Sequence, residues 1–230
     1  FGNPEDPEIF WTFMESIEGI TDFAKFLDVP CVGGKVSFYN ETSNGPIKPT
    51  PLIGVLGLIE NSPLLPTTPS NNDVILLVGE TKDELGGSEY YEYIHNFIGG
   101  IAPKVDFSES QKNMKSVLSL ISKNLVKCAH DCSKGGLAIA ISELCVFGKL
   151  GCDVNLTSSL SSEKMLFSES HSRYLLVVDK NNLDEIKSLL SEHDCTFSEL
   201  GIFSGDQISF KSNSEPILEL RVDKAENNYL

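Results

Sequence analysis

Four short segments hold the side chains that could bind or activate a polar ligand. In the first, Gly33 and Gly34 precede an alternating run, Val36-Ser37-Phe38-Tyr39, which ends in Asn40-Glu41-Thr42. Glycines let a ligand approach the backbone, while a hydroxyl, an amide and a carboxylate suit a polar substrate or hydrated Mg²⁺. The same letters also fit a bulge followed by a turn. In the second, Ala129-His130-Asp131-Cys132-Ser133-Lys134 leads through Gly135 and Gly136 into an apolar helical pattern. Asp131 and Ser133 could cap that helix or bind a cation, and its N-terminus attracts anions. His130 beside Asp131 could be a general base, although adjacent residues need not face each other, and a hydrogen-bonded structural histidine fits too. The third, Phe167-Ser168-Glu169-Ser170-His171-Ser172, offers a carboxylate and an imidazole ahead of an apolar strand, or only a solvated strand entry. In the fourth, Leu85-Gly86-Gly87-Ser88-Glu89-Tyr90, Ser88 caps a helix behind glycines.

The chain lacks the GxSxG, GxGxxG and GxxxxGK[ST] motifs. Its six cysteines form no CxxC pair, and several lie in apolar runs, which points to reduced thiols in a cytosolic compartment. Cys128, His130 and Cys132 have no second pair at zinc spacing to complete a four-ligand site. A net charge of −15, with only 18 dispersed Lys and Arg, argues against a nucleic-acid surface. It leaves room for a nucleotide held by backbone N–H groups and Mg²⁺. No apolar run reaches membrane-spanning length, and the start, Phe1-Gly2-Asn3-Pro4-Glu5, is not that of a signal peptide.

These segments need a frame. At 230 residues the chain amounts to one and a half domains, and with no initiator Met a fragment of a longer protein is one reading. Nine of the 11 prolines precede residue 71, so a domain boundary is expected near Asn71-Asn72, with Glu60–Ser70 as linker. Residues 1–70 then hold a helix over Pro7–Leu27 capped by Asp6, and strands over Val36–Tyr39 and Leu52–Ile59. That is a poor independent domain. Residues 71–230 alternate more fully. Strands are expected at Val74–Val78, Val154–Leu156, Tyr174–Val178, Thr196–Phe203, Gln207–Phe210 and Ile217–Val222. Helices are expected from Gly87-Ser88 through Phe97, from Ser108 through Leu125, and over Gly136–Phe147 and Leu183–Leu190. Ser158–Ser172 reads as a loop around a short helix. The last strands follow too closely for helical crossovers, so the fold class is α/β with a mixed sheet.

The order of the segments is more specific than any one of them. Phe1-Gly2-Asn3-Pro4-Glu5-Asp6-Pro7-Glu8, Val36 through Thr42, Ile47-Lys48-Pro49-Thr50-Pro51, Leu85 through Tyr90, His130-Asp131 with its glycines, and Ser168-Glu169-Ser170 together closely resemble the C-terminal part of the phosphoribosylformylglycinamidine synthase family. Its members are the synthetase subunits of formylglycinamide ribonucleotide amidotransferase. Relatives such as aminoimidazole ribonucleotide synthetase share the two-domain plan without this wording. The resemblance implies tandem A and B domains, with residues 1–70 as the tail of the second A (ATP-binding) domain and 71–230 as the second B domain.

The implied reaction is ATP-dependent conversion of the formylglycinamide ribonucleotide amide to an amidine in purine biosynthesis. Its cofactors are ATP and Mg²⁺; its partners are the ribonucleotide substrate, the N-terminal half of the synthetase, a glutaminase subunit supplying ammonia and a small accessory subunit. Carried over by position, Gly34 would touch ATP and Ser37 the substrate. Lys35 stands where the family usually has an Mg²⁺-binding Asn; an ammonium cannot ligate a cation but could contact a phosphate, so no metal ligand is assigned here. Asp131 and Glu169 match positions that would line an auxiliary, pseudo-symmetric nucleotide site. Two classes stay open: part of a catalytic synthetase, inactive alone, or a non-catalytic nucleotide-binding scaffold.

Overall fold

The computed structural model describes residues 1–59 and 63–229; Glu60, Asn61 and Ser62, where the expected linker starts, and Leu230 lie outside the described residues. The chain divides into two compact units, Phe1–Glu60 and Asn61–Leu230.

In the first unit, α1 spans Pro7–Leu27, the expected range, and Asp6 caps it by accepting a bond from the Glu8 amide. Pro7 at the first helical position loses nothing, because its missing N–H would be unpaired there anyway. The helix ends at Asp28, whose left-handed backbone lets its N–H reach the carbonyls of Ala24 and Lys25. No residue of α1 is fully buried. Phe13 packs between Phe1 and Phe38, at centroid distances of 5.3 and 5.0 Å.

Neither expected strand of this unit forms. The Tyr39 and Asn40 amides bond to the Gly2 and Phe1 carbonyls, but the only ladder among the described residues of the unit pairs β1 (Glu41–Thr42) with β2 (Gly45–Pro46). Leu52–Ile59 has no strand partner, and Leu52 and Leu56 are 97% and 96% exposed. The apolar pattern is that of a strand, but backbone N–H and C=O groups form a strand only beside a neighbour that accepts them.

The second unit is a seven-stranded sheet. In chain order its elements are β3 (Val74–Val78), α2 (Glu89–His95), α3 (Phe107–Ser122), β4 (Val126–Asp131), α4 (Gly136–Gly148), β5 (Cys152–Leu156), α5 (Ser162–Phe167), β6 (Tyr174–Val178), α6 (Leu183–Glu192), β7 (Phe197–Phe203), β8 (Gln207–Ser212), β9 (Glu215–Arg221) and α7 (Val222–Tyr229). The strand order is β4-β6-β3-β7-β5-β8-β9, antiparallel throughout except for parallel β5–β8. Sequence patterning anticipates the mixed sheet but misses β4, whose Lys127 and His130 interrupt the apolar run, and α7, a polar helix.

Every residue of β3 is buried, because helices cover both sheet faces. Val74, Leu76 and Val78 pack with Val117 and Leu120 of α3 and Ile186 and Leu190 of α6. Ile75 and Leu77 pack with Leu137 and Ile141 of α4, Met165 of α5 and Val222 of α7. Residues 69–73 join this unit: the Asn72 amide donates to Phe203 O at 2.8 Å, and Phe203 N to Asp73 O at 2.9 Å. Lys127 of β4 fixes the same corner with ion pairs of 2.5 Å to Asp73 and 3.3 Å to Asp179.

Gly201 marks the tightest point of the sheet. The β3–β7 register shifts beside it, and a Cβ there would lie 1.9 Å from Asp153 O of β5. Backbone cannot yield as a flexible side chain can, so Gly201→Ala must spread β5 from β7. It is expected to lower unfolding stability by roughly 2–4 kcal/mol, checked by urea denaturation with Gly19→Ala, which has open space and no positive φ, as the control.

Candidate functional site

The second and third sequence segments meet in one cleft of the second unit, about 350 Å³ in volume. Asp131, Ser133 and Lys134 line one side; Glu169, His171 and Arg173 line the other. A larger cavity of 420 Å³ opens beside Leu77, Leu137, Leu156 and Met165, but none of the motif carboxylates reaches it.

Arg173 shapes the cleft wall. Its side chain is 1% exposed, and burial pulls its pKa below the ordinary value. A guanidinium stays charged even so, and its buried donors must be paired. Nε donates to Ser170 O at 2.9 Å, while the two terminal nitrogens donate to Thr81 Oγ1 at 2.9 Å and Ser168 O at 2.6 Å. The serine-rich connector is therefore ordered by its hydroxyls: Ser168 Oγ accepts from Glu84 N at 3.3 Å and Ser170 Oγ from Lys82 N at 3.0 Å.

Glu169 does not offer a free carboxylate. Its Oε1 accepts from Glu89 N, at the start of α2, at 2.9 Å and from Gly135 N, the cap residue of α4, at 2.8 Å. Neither Asp131 nor Ser133 caps α4 through its side chain. Gly136 adopts φ +66°, and a Cβ there would lie 2.5 Å from Ser168 O. Gly136 thus admits the chain's own backbone, while Gly135 makes room for the Ile139 side chain. His130 is also engaged, with Nε2 3.0 Å from Glu143 Oε2 and Nδ1 3.5 Å from Asp131 Oδ1. Asp131 keeps a side chain that is 67% exposed. As expected, Ser88 caps α2, accepting from Tyr91 N at 3.3 Å.

The first segment lies in the other unit. Gly34, Lys35 and Ser37 are exposed, and space around a Cβ at Gly34 is open. Ser37 Oγ sits 3.1 Å from Asn40 Nδ2, so only a local contact holds it. Sequence reasoning did not find Arg173, because a lone arginine before an apolar strand carries no spacing signal.

The mixed sheet, helices on both faces and the glycine-led cleft at the α4 start define the class, and the family described as "AIR synthase related protein, C-terminal domain" matches residues 70–211. The chain belongs to that family. Over its full length it is similar to the phosphoribosylformylglycinamidine synthase subunit PurL, with 39% identity to the protein of Methanococcus aeolicus and 39% to that of Methanocaldococcus jannaschii. The chain spans 32% of the length of each of those relatives. In fold it resembles Thermotoga maritima PurL solved in complex with FGAR, at 19% identity and a TM-score of 0.76 over 91% of this chain and 36% of that one. The ATP complex of the same protein gives a TM-score of 0.69, at 19% identity over 91% of this chain and 35% of that one.

Behind the cleft, Cys132 is buried, and loss of solvent pushes its thiol up to about 11, opposed by the Arg173 charge and reinforced by Asp131. A raised pKa in the folded state stabilises the fold below the unfolded thiol's value and ceases to do so as pH rises through the folded value. Stability is therefore expected to fall between about pH 9 and 11, with a shallower fall in Cys132→Ala, measured by denaturation across that range. Of the six free cysteines only Cys31 is exposed. Maleimide at neutral pH should label one thiol in the native chain and six after denaturation.

Proposed function

We infer that this chain works as part of a phosphoribosylformylglycinamidine synthetase, in which formylglycinamide ribonucleotide is activated by ATP and converted by ammonia to the amidine. The observation that carries this reading is the 39% identity over the whole chain to PurL subunits. By the family carry-over, residues 1–70 are the tail of an ATP-binding A domain and 71–230 the second B domain.

In this reading Gly34 admits ATP, Lys35 contacts a phosphate and Ser37 meets the substrate. Their exposure suits contact with a ligand held largely by other segments. The amide oxygen is phosphorylated and ammonia then displaces phosphate. Chemically, this chain's share is to position the amide and nucleotide, and Ser37 Oγ can donate to a substrate oxygen. Among the described residues no three His, Cys, Asp or Glu side chains converge to hold a metal. Mg²⁺ that travels with a nucleotide needs only one or two carboxylates beside phosphates and water, and for a nucleotide in the cleft of the second unit Asp131 fits that need. It would neutralise phosphate charge.

The uncovered apolar surface of the first unit supports a site completed elsewhere. Trp11, Met14, Leu52, Val55, Leu56 and Leu58 are all exposed, and large uncovered apolar surface marks a place that another segment or chain covers. The completing partners are the N-terminal half of the synthetase, with a glutaminase and a small accessory subunit supplying and routing ammonia. The compartment is cytoplasmic, in keeping with reduced thiols and with no described helix long and apolar enough to cross a membrane.

One observation favours a second reading for the cleft. The helix start that could cradle an anion is taken up internally, by Glu169 at the Gly135 amide and by backbone at Gly136, which favours a scaffold role for this cleft over a catalytic one, with Asp131 and Glu169 the candidates for an auxiliary nucleotide site.

Purified residues 1–230 should produce no amidine from formylglycinamide ribonucleotide, ATP and ammonia; turnover would contradict the reading. In the complete synthetase, Ser37→Ala should lower kcat/KM more than Asp131→Ala, and equal or reversed losses would reassign the substrate contact.

A further inference from the structure

The α4 start has what an anion-binding helix end has, yet the chain fills it. We propose that Glu169 is a positioning residue: its carboxylate is the chain's own anion at this place, and it fastens the Lys82–Glu89 segment to the N-terminus of α4. The proposal stands whether or not the cleft takes a nucleotide.

Three observations converge. First, one oxygen, Glu169 Oε1, serves two donors from elements far apart in sequence, Glu89 N at 2.9 Å and Gly135 N at 2.8 Å. A backbone N–H bound to a carboxylate is among the stronger protein hydrogen bonds, and a carboxylate at a helix N-terminus is stabilised further by the helix dipole. Second, α4 has no side-chain cap of its own, so removing Glu169 leaves Gly135 N without its partner. Third, contacts along the same seam register the two segments: Glu169 N donates to Glu84 O at 3.2 Å, Ser168 and Ser170 accept from Glu84 and Lys82, and Lys164 pairs with Asp83 at 2.6 Å.

The charges around the oxygen agree with an anion that belongs there. Lys134, next to Gly135, pairs with Glu89 at 2.5 Å, so the carboxylate of Glu89 is balanced and only that of Glu169 faces the amides. Tyr90, one residue into α2 from the fastened amide, stacks on Phe167 at 4.9 Å and 15°. The fastening therefore sets where α2 starts and where the ring of Tyr90 lies.

The test is amide hydrogen exchange on the whole 230-residue chain, with Leu176 in the core of β6 reporting global opening. In Glu169→Ala the Glu89 and Gly135 amides should exchange roughly 10–100-fold faster together while Leu176 is unchanged. Sodium acetate should slow both amides in that variant and leave wild type unaffected. Glu169→Gln, which keeps an acceptor oxygen without the charge, should restore only part of the protection, and full wild-type protection in it would overturn the role of the anion. If Glu169→Ala does not fold, Glu169→Asp carries the test, because one methylene less withdraws the carboxylate from both donors and should accelerate both amides. Acceleration at only one amide, wild-type exchange at both, or no acetate effect in a folded Glu169→Ala overturns the proposal.

Discussion

A buried guanidinium must have acceptors, and the second unit is arranged so that Arg173 has three. Its charge would be costly in an apolar interior, and each of its bonds fixes a different stretch of chain. Thr81 follows the buried strand β3, Ser168 closes α5, and Ser170 belongs to the connector that leads into β6. With those positions set, the serine hydroxyls can reach Lys82 and Glu84, and Glu169 can reach two amides. The shape of the cleft follows from satisfying one charge.

The same constraint separates what the cleft offers a ligand from what it keeps for itself. Glycines and a carboxylate at a helix start suggest a phosphate cradle, yet Gly136 is filled by backbone and Glu169 by backbone amides. Asp131 remains open to solvent. In the first unit the balance is reversed. Gly34, Lys35 and Ser37 are exposed, and an apolar segment lies uncovered beside no strand. A chain whose second unit is self-sufficient and whose first is not suits a role as one part of a larger synthetase.

Much of this was legible in the residues. The range of α1, its Asp6 cap, the Ser88 cap and the limits of β3 and β6 follow local rules of spacing and capping. So does the mixed sheet, from the short links between its last strands. What was not legible was non-local. Glu169 caps a helix whose N-cap residue, Gly135, lies 34 positions earlier, and no sequence rule spans that gap. The strand expectation for Leu52–Ile59 failed because alternation and apolarity specify a strand only when a neighbouring strand is present. Of the candidate site residues, the family wording picked out Asp131 and Glu169, and folding brought them to one cleft; it could not reveal that the Glu169 oxygen was already engaged.

The central claim is the proposal that the first unit belongs to a site completed by another part of a synthetase, which would also cover its exposed apolar segment. Hydrogen exchange across Leu52–Ile59, compared between residues 1–230 and the complete synthetase, tests it most directly. The account predicts near-unprotected amides in the isolated chain and slowing of roughly 100-fold or more in the complete enzyme. Equal exchange in the two would contradict it.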